Sequence, residues 1–142
     1  MTNEQIIALE GNALNRTVAI EVMGFEEISE QQDLKRKQIA PYLPGHGIIA
    51  LYENNYIARF NGKSIRWNPG ENISVAWELV KTAGDNFDNI NINVNNDGIV
   101  EVNVIVWTTD EDGKQVLNEY DYASEFATEA ICKAILLAVS EK

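Results

Sequence analysis

The chain has 142 residues, 45% of them hydrophobic and 23% charged, with a formal net charge of −11. That length and composition fit one ordinary domain, residues 1–142, with a real core, and exclude a disordered chain. The acidity excludes nonspecific binding to DNA, RNA or anionic membranes, which need a positive surface.

No apolar run approaches the roughly 18 to 20 residues of a bilayer span, and Met1-Thr2-Asn3-Glu4-Gln5 lacks the basic start of a signal peptide. One cysteine, Cys132, lies in an apolar segment; it excludes an internal disulfide and most zinc sites and reads as a packed thiol in a reducing cytosol. A small anionic ligand stays possible where a few basic groups converge. An acidic protein that imitates nucleic acid also stays open, as does acidity that serves solubility alone.

Thr2 and Gln5 have capping-box spacing, which starts a helix. Ile7, Gly11, Leu14, Val18 and Val22 then form one helical stripe, with Gly11 as a point of close approach and Gly24 as the C-terminal cap. Phe25 is expected to tuck the exit under the core. Residues 26–47, with the basic cluster Lys35-Arg36-Lys37 and Pro41, Pro44, Gly45 and Gly47, read as a long loop or lid. Residues 48–52 read as a short strand.

Asn61-Gly62 between alternating runs is a strong hairpin signal. It pairs Phe60 with Lys63, Ala58 with Ile65 and Tyr56 with Trp67. One face is then aromatic, and the other carries Ile57, Arg59, Ser64 and Arg66. Asn72 caps a second amphipathic helix with Ile73, Ala76, Trp77 and Val80 on its stripe. In the second hairpin, Ile90, Ile92 and Val94 alternate with asparagines, and Val100, Val102, Val104 and Val106 with Glu101, Asn103, Ile105 and Trp107. Faces match only if Asn96-Asp97-Gly98 forms a three-residue loop with Gly98 left-handed. This register sets Asn93 opposite Glu101, Asn91 opposite Asn103 and Phe87 opposite Trp107.

Residues 110–113 make a turn and residues 115–122 a last strand. Ser124 caps a final helix in which, from Ala130 to Val139, only Lys133 is charged. A helix so apolar either runs through the centre or is covered partly by a second subunit. The order α-β-β-α-β-β-β-α implies an α+β fold: a mostly antiparallel sheet of five to six strands, sandwiched with N-terminal, middle and C-terminal helices.

Signs of catalysis are few. His46 is the lone histidine, and no phosphate-cradling loop or helical metal motif is present; Asp110-Glu111-Asp112-Gly113 lacks the ligand spacing of a calcium loop. No enzyme, cofactor or metal is expected. Asparagine is a poor strand former, so Asn89, Asn91 and Asn103 beside Phe87 and Trp107 suggest a seat for a purine, with rings to stack on and amides to read its edge. Arg59 and Arg66 are the candidate phosphate contacts. The alternative is a solvated or subunit-facing polar face. Lys133 is either a lysine snorkelling to the surface or a lone cation at a buried interface.

Three segments carry a family resemblance: Val18-Ala19-Ile20-Glu21-Val22-Met23-Gly24-Phe25, Ile73-Ser74-Val75-Ala76-Trp77-Glu78-Leu79-Val80, and residues 128–138. In that order and spacing the chain resembles the phage α/β/α sandwich domain found in Bacillus and Clostridium phages and prophages. Residues 26–67 match least; family members often have Trp where this chain has Phe25, and Arg where it has Lys133. The resemblance implies a Thoeris anti-defence sponge, a viral protein acting in the cytoplasm of the infected bacterial host. Such a sponge binds and sequesters a cyclic ADP-ribose isomer without cleaving it, and some members also hold cyclic oligonucleotides. It implies a homo-oligomer, a dimer or a ring of dimers, with ligands between protomers. Phe87, Trp107, the asparagine face, Arg59 and Arg66 are the residues that would hold the nucleotide, with Lys133 as a further candidate. The alternatives are an acidic phage protein that binds a host protein, or an accessory structural protein.

Overall fold

The computed structural model describes residues 1–39 and 47–141, with side chains for 1–36 and 47–141. His46, Pro41, Pro44 and Gly45 of the expected loop lie outside the described residues. The elements run α1 (Asn3–Ile7), α2 (Gly11–Glu21), β1 (Glu26–Ile28), α3 (Glu30–Ile39), β2 (Ile48–Tyr52), β3 (Asn55–Phe60), β4 (Lys63–Arg66), α4 (Ile73–Gly84), β5 (Asn89–Val94), β6 (Val100–Thr109), β7 (Gln115–Ser124) and α5 (Ala127–Ser140). The class is α+β, as expected. The strands form two sheets rather than one, ordered β1-β2-β3-β4 and β5-β6-β7, and every pairing is antiparallel except β1 with β2.

The centre is α5. Its residues from Ala130 to Ala138 are all buried, so this monomer covers the helix by itself. One side packs on β6 and β7, and α1, α2 and α4 cover the others. Helix α2 also touches β3 and so joins the first sheet to the central helix. Inner-face valines of β6, namely Val100, Val102, Val104 and Val106, meet α5 in one core with the aromatic trio Phe25, Phe60 and Trp67. The Phe25 ring lies 5.1 Å from Phe60 and 5.3 Å edge-on from Trp67. Such tilted and edge-on pairings suit the ring quadrupoles.

The local hairpin signals hold. Asn61 (φ 51°) and Gly62 (φ 75°) make the left-handed turn, with Phe60 opposite Lys63 and Ala58 opposite Ile65. Gly98 (φ 83°) closes the second hairpin, and Asn93 faces Glu101 and Asn91 faces Asn103 as expected. The Thr2–Gln5 capping box is present, as is the Asn72 cap of α4.

Four expectations fail. The first helix is broken: α1 ends at Ile7, and Gly11 (φ 53°) opens α2 with no neighbour near its missing Cβ. Ile6, not Ile7, is the buried residue there. Residues 26–39 are a strand and a helix instead of a loop. Ser29 and Gln32 form a reciprocal capping box at the start of α3, with bonds of 3.0 and 3.1 Å. On α4, Ile73 and Trp77 stay 53% and 51% exposed and are not core. Residue 126, not Ser124, is the N-cap of α5; Ser124 ends β7 and accepts the Phe126 N–H through its hydroxyl.

Helix α3 is strongly polar, so burial of an apolar face does not hold it. Asp33 does: it is fully buried, and both its oxygens accept from the Arg59 guanidinium at 2.9 to 3.1 Å. Tyr52 adds its hydroxyl to the same carboxylate. A charge pair this buried holds its partners in place, because separation leaves each desolvated and alone. Among the described residues no helix is long and apolar enough to cross a membrane.

Candidate functional site

The residues singled out from sequence do not converge. Phe87 is 8% exposed and belongs to the core, while Trp107 is 48% exposed on the outer face of β6. The pairing expected between them is lost because the ladder stops two residues short, at Asn89 with Ile105: the Asp88 carboxylate takes the Trp107 N–H at 2.7 Å. Asn89 and Asn91 bond to each other, and Asn103 donates to Asp121. Glu101 and Glu119 share that outer face by register. A surface with three carboxylates and no cation repels phosphate.

Arg59 lies in the other sheet, 9% exposed and clamped to Asp33 and Ser64. Lys133 does not snorkel. It is 3% exposed, and its ammonium donates to the Ile7 carbonyl at 2.6 Å and the Glu129 carboxylate at 3.1 Å. The Tyr122 ring lies 5.3 Å beneath it. It ties the broken end of α1 to the central helix.

Arg66 stands apart. The chain has four arginines, and three are paired: Arg16 with Glu27, Arg36 with Glu26, Arg59 with Asp33. The Arg66 side chain is exposed and makes no hydrogen bond or ion pair among the described residues. It borders a cavity of about 210 Å³ between the start of α2, the β2–β3 turn and the segment after β4. Tyr56 and Trp67 help to wall it, with Glu71 at the rim.

Its remaining lining is carboxamide. Asn15 is 1% exposed; its side-chain oxygen accepts the Gly70 N–H at 2.9 Å, and its carbonyl accepts the Trp67 indole N–H at 2.8 Å. Gly70 lets the chain pass close: a Cβ would sit 3.1 Å from both Asn15 Oδ1 and Leu14 Cδ2 and press on each. Asn12 donates to the Asn54 carbonyl at 2.7 Å and fixes the turn. The carbonyl of Asn68 accepts from the Glu71 and Asn72 N–H groups at 3.0 and 2.9 Å. Its side-chain oxygen is buried with no hydrogen-bond partner among the described residues. A buried acceptor without a donor is rare in folded proteins and costs about 1–3 kcal/mol.

Against known proteins, no family model, no curated protein and no solved structure matches this chain.

The electrostatics around the cavity are ordered outward from Glu27. Its carboxylate accepts two bonds from Arg16, at 2.8 and 3.0 Å, and that hydrogen bond holds its pKa below the usual range. Glu27 also accepts the Tyr56 hydroxyl at 3.3 Å, and burial with the nearby carboxylate pushes the phenol pKa up. Tyr56 is thus a neutral, fixed wall. Sites for a metal are missing from the pattern: among the described residues no group of three or more histidine, cysteine or acidic side chains can hold an ion. The Asp110 carboxylate instead shapes its own turn by accepting the Asp112 and Lys114 N–H groups. Cys132 is buried, and burial pushes its thiol up to about 12.

Of the residues picked from sequence, only Arg66 belongs to the cavity. Asn12, Asn15, Asn54, Asn55 and Asn68 were missed. They come from three separated segments, and none forms a run. The available signal was Asn-rich punctuation at a strand turn (Asn54-Asn55) and before a proline (Asn68-Pro69).

Proposed function

We propose that this protein captures a cyclic ADP-ribose-type nucleotide and holds it without cleaving it, as an anti-defence sponge in the cytoplasm of a phage-infected bacterium. The observation that carries the reading is a guanidinium, Arg66, and a buried acceptor, Asn68 Oδ1, that line one cavity and have no partner among the described residues. A ribosyl phosphate or an adenine amino group supplies what both lack. Phosphate oxygens pair with the guanidinium, and a hydroxyl or exocyclic N–H donates to the amide oxygen. The neighbouring asparagines offer both donors and acceptors to a base edge. The cavity is small beside typical ligand pockets of about 300–1,000 Å³, so it takes one nucleoside unit, with the rest of the ligand outside. Sequestration fits better than turnover, because the lining is mostly carboxamide and burial keeps the Tyr56 phenol neutral. The family resemblance of the sequence supplies the ligand class.

The test is a thermal-shift and calorimetric screen of cyclic ADP-ribose isomers, with cyclic oligonucleotides alongside. Binding well above the dissociation constant stabilises the fold by about 3 kcal/mol at a hundredfold excess. Ligand released by heating must be chemically unchanged. Arg66→Ala is expected to remove the shift and leave the melting temperature of the free protein unaltered. A wild-type protein indifferent to every nucleotide, or an Arg66→Ala variant that binds normally, overturns the reading.

A further inference from the structure

Four strands lie at sheet edges among the described residues: β1, β4, β5 and β7. Edges are open templates for another strand, and proteins blunt them with charge, proline or bulges. Strand β1 carries Glu26 and Glu27, β4 carries Lys63 and Arg66, and β7 carries Glu119 and Asp121. Strand β5, Asn-Ile-Asn-Ile-Asn-Val, has no charge and no proline in a chain of net charge −11.

The direction of its free backbone groups follows from the ladder. The Asn95 N–H donates to the Ile99 carbonyl at 2.8 Å. Antiparallel pairing alternates, so the asparagines of β5 bond toward β6, while Ile90, Ile92 and Val94 point their N–H and C=O groups to the open side. The apolar side chains of the same residues face inward but outrun the core: Ile92 is 37% and Val94 69% exposed. Helix α4 lies over β5 and leads back into it. One flank of α4 turns Glu78 to Lys63 of the first sheet at 3.0 Å. Its other flank, by helical spacing, carries the exposed Ile73 and Trp77. The exposed parts of Ile73, Trp77, Ile92 and Val94 come to roughly 400 Å² per copy, about half of what each side of a standard interface buries; the edge backbone and its asparagines extend the patch.

We propose that β5 is a self-pairing edge: a second copy of this chain adds its own β5 antiparallel about a two-fold axis at Ile92. That register sets Ile92 on Ile92 and Ile90 on Val94, keeps asparagine with asparagine, and satisfies the outward N–H and C=O groups of all three apolar residues on each copy. The α4 flanks then meet over the six-stranded sheet so formed. A second copy fits better than a foreign strand because the alternation matches itself when reversed, and because this is the uncharged strip where two chains of −11 can approach. The proposal stands apart from the ligand reading, since the Arg66 cavity lies on the other sheet.

The test is molar mass by sedimentation and light scattering at micromolar concentration. The expected value is twice 15.9 kDa or a multiple of it. Ile92→Lys with Val94→Lys should give monomers. Ile92→Pro guards against misfolding: its lost N–H faces the open edge, so the monomer keeps every ladder bond while the pairing is blocked. Ile92→Cys should cross-link across the axis on mild oxidation, because paired Cα atoms about 5.5 Å apart suit a disulfide; the buried Cys132 does not compete. Arg66→Ala should leave the mass unchanged. A monomeric wild type, a folded Ile92→Pro variant that stays dimeric, or no cross-link overturns the proposal.

Discussion

Asn68→Ala separates a binding role from a structural one. Backbone groups do the structural work at this position: the carbonyl accepts the Glu71 and Asn72 N–H groups, and alanine keeps it. What alanine removes is a buried amide oxygen with no donor among the described residues. Leaving such a group in place costs about 1–3 kcal/mol, and truncating the short side chain forfeits about 0.5–1 kcal/mol of packing. The free variant should therefore match the wild type or exceed it by about 1 kcal/mol, where an average substitution destabilises by about 1 kcal/mol. Binding should fall by about 1–3 kcal/mol, or roughly five- to 150-fold in Kd. Urea unfolding followed by tryptophan fluorescence, read at unchanged m-value, gives the first quantity, with Trp67 beside the site. Calorimetry with a cyclic ADP-ribose isomer gives the second. A loss of 2 kcal/mol or more in the free protein would show that the oxygen is already partnered, and the reasoning would fall.

Lys133→Ala removes the buried donor of the Ile7 carbonyl and the Glu129 carboxylate and leaves Glu129 with the Tyr122 hydroxyl alone. It should cost about 1–3 kcal/mol by urea titration, and an unchanged stability would contradict the burial. Gly47→Ala places a Cβ 2.1 Å from the Phe25 ring; overpacking of about 1–3 kcal/mol should lower the melting temperature and disturb the near-ultraviolet signal of the aromatic trio. Cys132 should react with thiol reagents at pH 8 only as fast as the protein unfolds. Its raised pKa keeps the folded thiol protonated, so its contribution to stability is full below pH 9. Between pH 9 and about 12 the unfolded thiol ionises first, and stability should fall by about 1.4 kcal/mol per unit from this group. Fast labelling of the native protein would refute the packing of α5.

Features specified within a few residues were legible. Asn61-Gly62 and Gly98 fixed both hairpin registers because a turn type dictates its own strand alignment. The apolar run after Ala130 revealed α5 because no other environment suits it. What failed depends on distant partners. Hairpin signals do not say which hairpins adjoin, so two sheets read as one. Helix α3 lacks an apolar stripe, and its anchor, Arg59, is 26 residues from Asp33; only the Ser29–Gln32 capping box marked it. Strand parity paired Phe87 with Trp107, but parity holds only while the ladder continues, and Asp88 ends it. Lys133 stayed open between a snorkelling lysine and a cation at a buried interface because its acceptor, the Ile7 carbonyl, is 126 positions away. The asparagine run drew notice because it is contiguous, whereas the cavity gathers single asparagines from three segments.

Helix α5 follows, in chain order, every surface it fills. A nascent chain that has emerged only as far as Glu125 owns two sheets and four helices with nothing between them. It must wait in a loosely collapsed form until the next fifteen residues arrive. Folding is therefore gated by the synthesis of α5, and a frameshift or proteolytic nick before residue 127 should yield an insoluble product instead of a weakened one.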